Sequence, residues 1–90
     1  MEFRIGNKMV DLGKAFPITL GDTIAMDDLG FKNGAVTTPK MTAGMILHFA
    51  RKVDPGIVEI DVYGIELSAL EKIGKFIGDQ LPKAGDVNPT

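Results

Sequence analysis

The chain has 90 residues, ten basic and twelve acidic, for a net charge of −2, and it contains no cysteine. A chain this short fills one core rather than two, and without cysteine it has neither disulfides nor thiolate metal sites, which suits a reducing compartment. Its charges are spread evenly with no basic block, arguing against a nucleic-acid or anionic-membrane surface, and no apolar run approaches the ~18 residues of a membrane span.

Phe3–Leu12 reads as a β-hairpin. Gly6-Asn7 is a two-residue turn that tolerates positive φ, and it sets Ile5 opposite Lys8 and Phe3 opposite Val10. Phe3, Ile5, Val10 and Leu12 then share the core face, and Arg4, Met9 and Asp11 take the other. Gly13–Pro17 is a connector in which Phe16 is held extended by the proline after it. Thr19 and Asp22 form a capping box with the shorter acid, so a helix begins at Leu20 and stops at Gly30. Phe31–Thr37 is a loop turning at Asn33-Gly34.

The densest apolar run lies in Thr38–Asp54, TPKMTAGMILHFARKVD. Thr38 caps a helix with Pro39 at its first position, Arg51 and Lys52 suit its C-terminal end, and Asp54-Pro55-Gly56 stops it. Ile46, Phe49, Ala50 and Val53 recur at i, i+3, i+4, i+7 and face the core. Met41, Met45 and Leu47 widen the apolar arc beyond that stripe. They are the candidate partner-binding residues, because methionine adapts to the surfaces it meets. Met26, with Met41 and Met45, is placed to line a groove.

Gly56–Leu67 alternates Val58, Ile60 and Val62 with Glu59, Asp61 and Tyr63, the period of a half-buried strand. A short helix after Asp54-Pro55 is the competitor. Ser68-Ala69-Leu70-Glu71 is a full capping box, and Leu70, Ile73, Phe76, Ile77 and Leu81 form a helical stripe that Pro82 ends. These elements predict an α+β fold. It is a small, mainly helical single domain over residues 1–82, with an N-terminal hairpin on three main helices and a flexible polar tail over 83–90.

No catalytic device emerges. Ser68 is the only serine and is assigned to a cap, and His48 is the only histidine, so neither a nucleophile–base pair nor a histidine metal site can be assembled. Asp27 and Asp28 are neighbours on a helix, point about 100° apart and do not chelate together. GFKNGAVTT lacks the spacing of a phosphate-binding loop. The expectation is a non-enzymatic cytoplasmic domain with no cofactor and no metal, acting through apolar helix surfaces on a protein partner.

The order of these elements resembles the small tail-assembly chaperones of long-tailed bacteriophages and prophages. The resemblance is carried by EFRIGNKMVDLG, by PITLGD at Pro17–Asp22, by MILHFARKVDP at Met45–Pro55 and by ELSALEKI at Glu66–Ile73. It implies a mostly helical protein that binds the aggregation-prone tape-measure protein and helps tail-tube subunits assemble around it. In that family the segment after the DP is a helix with several acidic residues, whereas Ile57–Tyr63 is β-branched here. The resemblance carries no catalytic residues. The rival expectation is a structural virion component such as a head–tail connector.

Overall fold

The computed structural model describes residues 2–31 and 37–80. Strands β1 (Glu2–Ile5) and β2 (Lys8–Asp11) are followed by a 3₁₀ turn, Leu12–Ala15. Helices α1 (Leu20–Asp28), α2 (Pro39–Val53), α3 (Glu59–Tyr63) and α4 (Leu67–Gln80) complete the order, giving the α+β arrangement of a hairpin packed on helices. No helix among the described residues is long and apolar enough to cross a membrane.

The hairpin has the expected register, Phe3 opposite Val10 and Ile5 opposite Lys8. Ile5 and Val10 are buried, and so is Leu12, although it opens the 3₁₀ turn instead of ending the strand. Gly6 holds the turn at a φ of +63° and lies against α3, where an added Cβ would come within 2.9 Å of the Asp61 Cβ. Gly6→Ala is therefore expected to cost more than the roughly 1–2 kcal/mol of a left-handed alanine, since Asp61 must also move. Thermal melting of the variant measures it.

Each predicted cap on the next two helices forms. The Thr19 amide donates to Asp22 Oδ2 (2.9 Å) and the Asp22 amide to Thr19 Oγ1 (3.2 Å). On α2 the Met41 amide donates to Thr38 Oγ1 (3.2 Å). Helix α2 buries Met45, Ile46, Phe49 and Ala50 along one face, and the 3₁₀ turn, α1, α3 and α4 all pack on it. Phe16, extended as expected, stacks its ring 4.9 Å from Phe49. Gly44 brings α1 close, because a Cβ there would stand 2.6 Å from Leu29 Cδ2.

Two expectations fail, and one open alternative is decided. Of the strand and the short helix weighed for Gly56–Leu67, the segment forms the helix, α3, with Ile57 and Val62 buried and Val58, Ile60 and Tyr63 exposed. Among the described residues the sheet is the two-stranded hairpin and does not extend to this segment, while the Val58 amide finds its acceptor three residues on, at Asp61 Oδ2 (3.1 Å). Ser68 is not a cap, since α4 begins one residue earlier, at Leu67, with the Leu70 amide bonded to the Glu66 carbonyl. Ser68 is exposed in the first turn, so Ser68→Ala should leave stability within about 0.5 kcal/mol by denaturant titration. Met45 is buried, and so is Met26; neither belongs to an outer ridge. The Asn33-Gly34 turn and the 83–90 tail lie outside the described residues.

Candidate functional site

Beside the core lies an open groove of about 730 Å³. Its floor is α2, through Ala43, Gly44 and Leu47, with Ala25 of α1 and Leu29 just past its end on one side and Val62 of α3 on the other. Helix periodicity explains the floor: the stripe Ile46–Phe49–Ala50 turns to the core, so Ala43 and Leu47 fall at its border, half-buried. Charged and aromatic side chains rim it, namely Lys40, Arg51, Asp28, Glu59 and Tyr63. The Tyr63 hydroxyl donates to Glu59 Oε2 (3.1 Å), and this bond pushes its phenol above the ordinary range.

At one edge of the groove, His48 and Lys52 of α2 converge on Asp22 of α1. Asp22 is 3 % exposed, the one buried charged residue among those described. His48 Nε2 lies 2.7 Å from Oδ1, so the hydrogen is assigned to Nε2. Lys52 Nζ donates to Oδ2 (2.6 Å) and to the Ala15 carbonyl (2.7 Å). Burial pushes the Asp22 carboxyl up, but the Lys52 ammonium, the Thr19 amide and His48 outweigh it and hold the group well below the usual carboxylate range. The cluster is closed on itself: both oxygens are occupied by groups that tie α1 to the end of α2 and to the 3₁₀ turn. Its chemistry is that of a clasp.

Of the residues proposed from sequence, Leu47 lines the groove, Met41 is half-buried near Gly30, and Met45 points into the core. The structure does not bring the three together on one surface. Sequence reasoning missed Tyr63 and the Asp22–His48–Lys52 cluster. The i, i+4 spacing of His48 and Lys52 on the border of an apolar stripe was the available signal for the cluster. Among the described residues no group of three or more acidic, histidine or cysteine side chains could hold a metal ion. Compared with protein-family models, curated proteins and solved structures, the chain matches none of them.

Proposed function

We propose that this chain is a non-enzymatic assembly chaperone or adaptor of the phage-tail type, and that its groove receives an apolar helical segment of the tape-measure protein. The observation that carries this reading is the groove's shape and lining. It follows α2 from Lys40 to Arg51, three turns or about 16 Å, with an apolar floor and a charged rim. That is the form in which an amphipathic helix lays its i, i+3, i+4, i+7 side chains. The volume also falls in the range of small-molecule sites, but such sites orient their ligand with convergent polar groups. Here the buried carboxylate is already spent on His48 and Lys52. The tail-assembly identity itself is supported by the resemblance of the four segments quoted above.

Leu47→Gln with Tyr63→Ala is the test, since one lines the floor and the other, 65 % exposed, the rim. The pair should weaken binding to a tape-measure fragment tenfold or more, about 1.4 kcal/mol, while the protein still melts cooperatively. Undiminished binding by a folded variant would remove the groove from the mechanism.

A further inference from the structure

Helix α1 runs antiparallel to α2. Asp22 in its first turn meets Lys52 in the last turn of α2, and Leu29 just past its end lies on Gly44. The inner face of α1 thus forms one wall of the groove, through Ala25, Asp28 and Leu29. Its outer face carries Leu20 and Ile24, one helical turn apart, 77 % and 55 % exposed. At its C-terminal end stand Asp27 and Asp28, both exposed, where the helix dipole disfavours acids. Neither is in an ion pair among the described residues, and neither is Arg51, exposed on the groove rim beside the opposite end of α1.

These features complement one another across a twofold axis. If α1 of a second copy lies antiparallel along the first, its Leu20 and Ile24 meet the apolar side of the groove. Its Asp27 and Asp28 then arrive at the N-terminal end of the first α1, beside Arg51. The relation is reciprocal, so the contact closes as a dimer instead of propagating. We infer that the chain self-associates through α1, with the Leu20–Ile24 ridge of each copy in the groove of the other and Asp27 and Asp28 facing the partner copy's Arg51. The inference rests on the groove reading above and extends it: the protein shields its own client-binding surface, and a tape-measure helix must displace the second copy.

Sedimentation equilibrium on the full chain across a wide concentration range is the primary experiment. Leu20→Gln with Ile24→Gln should yield a monomer with an unchanged melting temperature. Arg51→Glu alone and Asp27→Lys with Asp28→Lys should each weaken the dimer at least tenfold, and combining the three should restore it. A wild-type monomer at every concentration, a dimer that survives the Leu20 and Ile24 changes, or a combined charge variant that stays monomeric would each overturn the inference. Titration with a tape-measure fragment separates the two readings. Release of the groove predicts tighter fragment binding by the Leu20/Ile24 variant than by wild type. Fragment binding without any dimer removes only the self-association, and a dimer without fragment binding removes only the client.

Discussion

Phe49→Ala is expected to cost about 3–5 kcal/mol, enough to unfold most of a domain this small. The side chain is fully buried, and the aromatic contacts around it explain why the loss cannot be repacked. Phe16 stacks on the ring at 4.9 Å, the His48 ring meets it edge-on at 5.0 Å, and Lys52 Nζ lies 5.7 Å from its centroid. Phe16 follows the 3₁₀ turn, whereas His48 and Lys52 are neighbours of Phe49 on α2 itself, so truncation opens a cavity where the turn segment closes over the helix. Circular dichroism against denaturant measures the loss. A variant that retained a cooperative transition near the wild-type midpoint would contradict this packing.

Asp22→Asn should cost about 3 kcal/mol, the low end of what breaking a buried ion pair costs, because Lys52 and His48 stay partly hydrated. Their side chains are 29 % and 28 % exposed, against 4 % for Asp22. The change removes the charge from a carboxylate that also completes the cap of α1. Its sign with pH follows from the direction of the shift. The folded carboxyl titrates below its unfolded counterpart, so its contribution is whole above the ordinary carboxylate range and is lost progressively as pH falls from that range toward the lower folded value. Wild type should therefore lose stability in acid more steeply than Asp22→Asn, and the gap between them should shrink as pH drops. Parallel curves would show that the carboxylate is not held by this cluster.

What was legible in the chain was what short-range chemistry decides. The hairpin register, the Thr19–Asp22 and Thr38 caps and the core stripe of α2 depend on residues within a few positions of one another, and all appear. The α3 segment stayed open between strand and helix because alternation of β-branched residues specifies a strand only where it is paired with another. Ser68 failed by a single residue: the S-x-x-E pattern was present, but Leu67 entered the helix and moved the boundary. Met45 was misplaced because the buried arc of α2 is wider than its i, i+3, i+4, i+7 stripe, with the first turn of α1, the 3₁₀ turn and α4 all resting on that helix. Asp22 was read only as a cap. It sits one turn before the buried Met26, on the same face of α1. A carboxylate on an apolar face demands a buried partner, and no local pattern could name residues 26 and 30 positions away.

Phe3 in the first strand packs its ring 5.6 Å from Phe76 in the last helix, within the core that Ile5, Val10, Ile73 and Ile77 share. During synthesis this means the hairpin emerges with its inner face bare and waits for α4 to be translated. No fragment ending before α4 can complete this core, so the chain must extend through α4 before it becomes protease-resistant. Pairing β1 with α4 also requires closing everything between them into a loop, a long-range step that slows folding relative to helix bundles of similar size. A ribosome stalled before α4 would therefore hold out a sticky hairpin and a half-covered α2, the species on which cellular holdases act.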